Sequence, residues 1–301
     1  MQKIIYSNKQ QFLQSLENIK NEGLENLHFL ADFDNTLTKA FVNWQKTPSL
    51  VSAIRKKNWM LWEKCALEDT KLFEKYHPIE INPNVSIEEK KKFMSQWWEK
   101  SFELFIKYWL SKDILEEIWK TDLIEFREWV KEFFEFTAKN NIPVIIISAS
   151  WLWVESIEIL LKNHNLNYPN IEIISNNYIW DKQGKAIWYK EPIIHSFNKW
   201  ETILKEFPEI FAKIKNRKNV ILLWDSLWDH HMVDWFDYNN LINIWFLNDF
   251  PHHNPLLWEE REQKEKEFLE EYIKRYDVVI TWDWDFGVVN DILKEIGKGT
   301  Y

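Results

Sequence analysis

Leu27-His28-Phe29-Leu30-Ala31-Asp32-Phe33-Asp34-Asn35-Thr36-Leu37-Thr38 sets the fold. Leu27 to Asp32 read as a short buried strand, and polar turn residues follow. On extended backbone, side chains repeat every two residues, so Asp32 and Asp34 can bring both carboxylates to one reaction centre. One carboxylate can attack phosphorus and form an aspartyl-phosphate. The other can protonate a leaving oxygen and later activate water. An Asp-x-Asp pair by itself is commonly a solvated turn. Its place directly after a buried strand is what favours chemistry.

Outward from this stretch, the texture of the chain changes. From about Pro48 to Asn141 the pattern is almost wholly helical, as in the spacing of Phe126, Val130, Phe133, Phe134 and Thr137. Ser86-Ile87-Glu88-Glu89 is a capping-box signature that opens one helix. From Ile142 onward, apolar runs alternate with helical segments. The runs are Val144–Ile147, Ile171–Ile174, Val220–Leu223, Leu241–Phe246 and Val278–Thr281. Such alternation predicts a doubly wound α/β core with a mostly parallel sheet. A helical insertion interrupts it after its first strand. Ligands bind such sheets at the carboxyl ends of the strands.

Three further strand ends or loops carry chemistry. Ser148-Ala149-Ser150 follows one apolar run, where a hydroxyl can donate to a phosphoryl oxygen or simply cap a helix. Trp224-Asp225-Ser226-Leu227-Trp228-Asp229 follows another, with two acids four residues apart. These suit Mg²⁺, which takes one or two carboxylates plus substrate phosphate and water. Asp229 can equally serve only to begin a helix. Lys199, in Phe197-Asn198-Lys199, is a cation that could offset the crowded acids.

Composition excludes several alternatives. The 301 residues are 46% hydrophobic and 28% charged, as in a globular protein rather than a disordered chain. The longest apolar run, about Ile142 to Ala149, is too short to span a bilayer, and the N-terminus lacks a signal-peptide core. No membrane association is expected. The single Cys65 excludes an internal disulfide and a cysteine zinc site, and a reducing cytoplasm is the expected setting. A net charge of −9 argues against general nucleic-acid binding but not against a small phosphorylated substrate. Oligomeric state is not readable.

Together, Asp32-Phe33-Asp34-Asn35-Thr36-Leu37-Thr38, Ser148-Ala149, Phe197-Asn198-Lys199 and Asp225-Ser226-x-x-Asp229 resemble the haloacid dehalogenase (HAD) superfamily. More narrowly, the chain resembles the cytosolic pyrimidine 5'-nucleotidase family from about Leu27 to Ile296. Glu74–Glu80, Ser86–Lys90, Trp97–Ser101, Tyr168–Asn170, Ile174–Asn176 and Phe246–Asp249 are family-like segments. The resemblance implies a HAD-like core over 1–43 and 126–301, with an all-helical cap over 44–125. It implies Asp32 as nucleophile and Asp34 as general acid/base. Asp32, Asp34 and Asp225 would bind Mg²⁺, with Asp229 in support. Ser148, Ala149 and Lys199 would hold the phosphate, and Glu80 and Ser101 in the cap would face the nucleoside. The implied activity is Mg²⁺-dependent hydrolysis of pyrimidine nucleoside 5'-monophosphates, UMP- or CMP-like, through an aspartyl-phosphate. Other small phosphate esters, a modified nucleotide, or a non-catalytic nucleotide- or sugar-binding relative are the alternatives.

The chain has 20 Trp and 5 Gly. Average usage predicts roughly 20 Gly at this length. In the family pattern glycine stands where this chain has Trp224 and Trp228. Trp235, Trp245, Trp44, Trp129 and Trp188 also fall at glycine-like positions, and Trp151-Leu152-Trp153 replaces a Gly-x-Gly turn. Trp97 and Trp98 match aromatic positions. A reassigned UGA codon, meaning glycine in the source and written here as tryptophan, would account for this pattern; genuine tryptophans forming an aromatic binding surface, or a decayed inactive relative, are the alternatives. Genuine tryptophans at 151–153 and 224–228 predict distorted backbone or an occluded pocket.

Overall fold

The structure is a computed structural model that describes residues 4–43, 45–47, 63–120, 124–150, 153–199, 206–226, 233, 236–248, 276–281 and 285–298. In chain order its main elements are β1 (Ile4–Tyr6), α1 (Lys9–Glu22), β2 (Leu27–Ala31), β3 (Phe41–Val42) and β4 (Gln45–Lys46). Helices α2 (Glu63–Ile81), α3 (Ile87–Lys107), α4 (Lys112–Trp119) and α5 (Val130–Lys139) follow. Then come β5 (Val144–Ile147), α6 (Trp153–Asn163), β6 (Ile171–Ile174), β7 (Tyr178–Trp180) and β8 (Ala186–Tyr189). The chain continues through α7 (Pro208–Ile214), β9 (Asn219–Trp224), β10 (Asn240–Leu247), β11 (Val278–Thr281) and α8 (Gly287–Gly297).

Seven strands form one sheet in the order β1-β11-β10-β9-β2-β5-β6. Every pairing is parallel except that of β1 with β11. The predicted α/β class and all five downstream strands are therefore observed. The edge strand β1 and the β7–β8 hairpin were not predicted.

The sheet is covered on both faces. Along β2 all five residues are buried. Leu27, Phe29 and Ala31 join one apolar cluster, while Leu30 joins the other. This two-residue alternation is the strand period expressed in packing. His28 points to the second side, where its ring meets Phe236 edge-on at 4.9 Å.

Between β4 and α5 the elements among the described residues are the helices α2, α3 and α4. Ser86 caps α3 through the predicted reciprocal bonds with Glu89, an arrangement worth about 1 kcal/mol. The insertion does not stand alone. Lys112 N donates to Gly184 O at 2.9 Å, and Ala186 N donates to Leu110 O at 2.8 Å. Phe102 of α3 meets Tyr178 of β7 edge-on at 5.5 Å. The β7–β8 hairpin is thus the shelf on which the helical layer rests.

Candidate active site

β2 lies between β9 on one side and β5 on the other, so the chain reverses direction of winding there. That is the switch point at which open α/β sheets bind ligands. Asp32 is the first residue beyond β2, and its N–H still donates to Leu223 O of β9 at 2.9 Å. Ala31 is opposite Leu223, so Asp225 stands at the end of the neighbouring strand, one residue further along. Adjacent strands are about 4.8 Å apart. Ser148 extends β5 on the other side, through its N–H to Ile174 O at 2.9 Å. Three separated segments thereby converge on one edge of the sheet.

Lys199 completes the cluster. Its Nζ lies 2.8 Å from Asp32 Oδ1, and both side chains are buried. A buried charge is tolerated when paired, and each is the other's partner here. Asp34 and Asp225 are half-buried at the same edge. Ser148 Oγ accepts from Ser150 N at 3.1 Å, and its own proton has no acceptor among the described residues. It can therefore donate to an incoming oxygen. Asp229 lies outside the described residues.

Among the described residues no three His, Cys, Asp or Glu side chains gather into a metal cluster. Mg²⁺ does not require three carboxylates. Asp32 and Asp225 at adjoining strand ends, with the carbonyl of Asp34, are a hard oxygen set of the type it takes, and the donor chemistry fits. Cys65 offers no alternative nucleophile. Burial, then the nearby Asp69 and Glu68, push its thiol up to about 12.

The helical layer reaches this edge directly. Trp98 Nε1 of α3 donates to Ala149 O at 2.8 Å. Ser95 Oγ lies 3.1 Å from His195 Nε2, and Ser196 Oγ donates to Glu80 Oε1 at 2.7 Å. Glu80 also meets His77 Nδ1 at 3.1 Å. Lys90 lies over the Phe197 ring at 5.4 Å; burial pushes its ammonium down, and Glu80 opposes that shift. Ser101 is fully buried, and its Oγ has no hydrogen-bond partner. Tyr76 OH is likewise buried and unbonded, with Trp97 stacked on its ring at 6.0 Å. Glu80 and Ser101 both belong to the layer over the sheet edge, but Glu80 is held by protein groups whereas Ser101 is not.

Several groups at the site carried no role in the sequence reading. Asn176 Nδ2 donates to Ser150 O at 3.1 Å and to Ile194 O at 2.8 Å, and its Oδ1 accepts from Ile194 N at 2.7 Å. It joins the Ser148 loop to the segment bearing Lys199. Arg127 and Asn248 bind the carbonyls that follow Asp34. Asn176 and Asn248 do lie in family-like segments; Arg127 does not.

The tryptophans divide. Trp224 ends β9 in regular register opposite Trp245, fully buried in the apolar cluster containing Val233, Phe236 and Tyr276. The distortion expected at 224 is absent, because the indole enters the packing on one face of the sheet. Trp151, Trp228 and Trp235 lie outside the described residues, as does the side chain of Trp153.

A family model for pyrimidine 5'-nucleotidase (UMPH-1) matches residues 35–297. The chain is 32% identical over 282 residues to 7-methylguanosine phosphate-specific 5'-nucleotidase A of Xenopus laevis, covering 92% of this chain and 89% of that one. It is 30% identical over 279 residues to the Homo sapiens 7-methylguanosine phosphate-specific 5'-nucleotidase, covering 92% and 87%. The crystal structure of cytosolic 5'-nucleotidase IIIB bound to cytidine superposes with a TM-score of 0.83 at 26% identity, over 99% of this chain and 94% of that one.

Proposed function

Because the chain belongs to the pyrimidine 5'-nucleotidase (UMPH-1) family, a HAD-like family of phosphoric monoester hydrolases, we propose that it hydrolyses pyrimidine nucleoside 5'-monophosphates. The observation that carries this reading is the buried Lys199–Asp32 pair at the switch point of the sheet.

Asp32 attacks phosphorus, and the ester oxygen leaves as the nucleoside 5'-hydroxyl with a proton from Asp34. Asp34 then takes a proton from water, which attacks the aspartyl-phosphate and releases inorganic phosphate and free Asp32. Lys199 and the Ser148 hydroxyl hold the phosphoryl oxygens, with the Ala149 backbone lining the same loop. Asp32, the Asp34 carbonyl and Asp225 would hold Mg²⁺, with Asp229 in support. When bound, the ion neutralises phosphate charge.

Residues 44–125 act as the cap on a core of 1–43 and 126–301. Among the described residues of that interval there are three helices, α2, α3 and α4, together with β4. The cap would exclude bulk water and read the base through Glu80 and Ser101. No helix among the described residues is long and apolar enough to cross a membrane. The similar 5'-nucleotidase IIIB is named cytosolic, and on that likeness we place the enzyme in the cytoplasm.

A second reading has a specific basis. The relatives at 30–32% identity are named for 7-methylguanosine phosphate. The test is free-phosphate release from CMP, UMP, 7-methyl-GMP, GMP and AMP, with Mg²⁺ and with EDTA. Preference for CMP or UMP supports the first reading, and preference for 7-methyl-GMP replaces it with the second. Release undiminished by EDTA removes the metal from the scheme.

A further inference from the structure

We propose that Arg127 is a positioning residue for the general acid, acting through the loop that follows Asp34. Its guanidinium is buried, with Nε donating to Thr36 O at 2.8 Å and Nη2 to Asn35 O at 2.5 Å. The same Nη2 reaches Asn248 Oδ1 at 2.7 Å, and Asn248 Nδ2 donates back to Asn35 O at 2.8 Å. Arg127 N donates to Leu37 O at 3.0 Å. Three successive carbonyls after Asp34 are therefore held by residues 127 and 248.

The loop needs such a hold. Asn35 is in the left-handed region at φ 57°, and the Asn35 N–H is taken by Thr38 Oγ1 at 2.9 Å. Asparagine can adopt this backbone as a single residue, but the tight turn leaves successive carbonyls that need partners. A planar guanidinium suits the task because its donors form a rigid fork. Phe246 sets the plane of that fork, with the guanidinium carbon 4.5 Å from the ring centroid. Lysine offers a single compact ammonium on a flexible stem and cannot hold two carbonyls in the same plane.

This inference rests on Asp34 as the acid, so the test separates the two. Arg127→Lys and Asn248→Ala are compared with Asp34→Asn in kcat, KM, pH–rate profile and Tm. For Arg127→Lys the expected result is a kcat lower by about 10²-fold, the cost of misplacing a catalytic group by about 1 Å. KM stays within about threefold, and the limb of the profile that reports the acid is displaced. Guanidinium ion added to Arg127→Ala restores part of the rate. A kcat loss that matches the loss of folded protein, with an undisplaced profile and no rescue, overturns the positioning role. An Asp34→Asn variant that keeps full activity overturns the acid assignment instead.

A separate observation concerns the tryptophans, and here the geometry points to glycine as the natural residue at 109 and 129. Helices α3, α5 and α6 end alike. Residue 109 donates to Ile106 O and residue 110 to Phe105 O, and Asn141 with Ile142, and Asn165 with Leu166, repeat the pattern. This is the Schellman ending, whose left-handed position takes glycine or asparagine. Asn141 and Asn165 occupy it at φ 51° and 57°, but at 109 it holds Trp at φ 58°. Trp129 has φ 71° two residues after Arg127. Both indoles are exposed, so packing does not repay the strain. Peptide mass spectrometry of the protein from its natural source tests this. Glycine at 109 and 129 with tryptophan at 97 and 98 is expected, and tryptophan at 109 and 129 overturns it. In recombinant protein each of Trp109→Gly and Trp129→Gly is expected to raise Tm by about 2–4 °C, and an unchanged or lowered Tm in both contradicts the geometric argument.

Discussion

The charged groups and loop carbonyls of the sheet edge are paired, whereas two buried hydroxyls of the helical layer above it are not. At the edge, Asp32 is paired with Lys199, the carbonyls after Asp34 are bonded, and Asn176 ties two loops together. In the layer, Ser101 Oγ and Tyr76 OH are buried without hydrogen-bond partners. A buried unbonded hydroxyl costs about 1–3 kcal/mol. On the proposed function, the difference teaches that the half assigned to the reaction is organised before substrate arrives, while the half assigned to the nucleoside retains bonds for a ligand to make.

The comparison breaks first at Asp32. Asp32→Asn removes the nucleophile while keeping the shape, and kcat should fall on the order of 10⁴-fold or more, with folding retained by circular dichroism. Lys199→Ala comes next. Loss of one preorganised charge at the phosphate should lower kcat about 10²- to 10³-fold, and it leaves Asp32 unpaired. Steady-state phosphate release measures both.

Ser101→Ala sharpens the other half. One lost hydrogen bond to the nucleoside should raise KM about tenfold while kcat holds. The same change removes an unbonded buried hydroxyl from the free enzyme, so Tm should stay level or rise. A lowered Tm with unchanged KM would place Ser101 in the packing instead.

The smallest effect belongs to His28, which lies on the central strand β2. Burial pushes its imidazole down to about 3, and neither ring nitrogen has a hydrogen-bond partner. The folded pKa is below the unfolded one, so the unfolded chain binds the proton first as pH falls. The contribution to stability is complete above about pH 6.5 and is lost progressively as pH falls toward 3. One such proton gives a slope of at most about 1.4 kcal/mol per pH unit. Urea titrations of His28→Phe between these limits should show a shallower slope than the parent.

How much of this was legible in the sequence follows from the kind of bond involved. The strands from Val144 onward announce themselves as apolar runs, and three of the five coincide with the observed bounds. The three-residue β1 has too few residues to show alternation, and it is placed only by pairing with β11. The β7–β8 hairpin is defined by what it supports rather than by its own pattern. At the site, Asp32 and Asp34 could be read because a buried strand precedes them. Lys199 is 167 residues from Asp32, and no local pattern distinguishes it from a solvated lysine. The need for a cation beside the acids made it a candidate, and the resemblance singled it out. Arg127 was invisible because its partners are backbone carbonyls, which any sequence supplies. Backbone distortion, one of the two outcomes expected of genuine tryptophans, does not occur at Trp224 for a related reason. A strand end can direct a large side chain into the sheet packing, and which face receives it depends on register.

The central claim is that Asp32 becomes phosphorylated during turnover. Acid-quenched peptide mapping of the parent enzyme, taken during hydrolysis of CMP or 7-methyl-GMP, tests it most directly. A phosphoryl group on the peptide containing Asp32 is the predicted result. Sustained phosphate release with that peptide unmodified throughout, or a phosphoryl group on another residue, would contradict it.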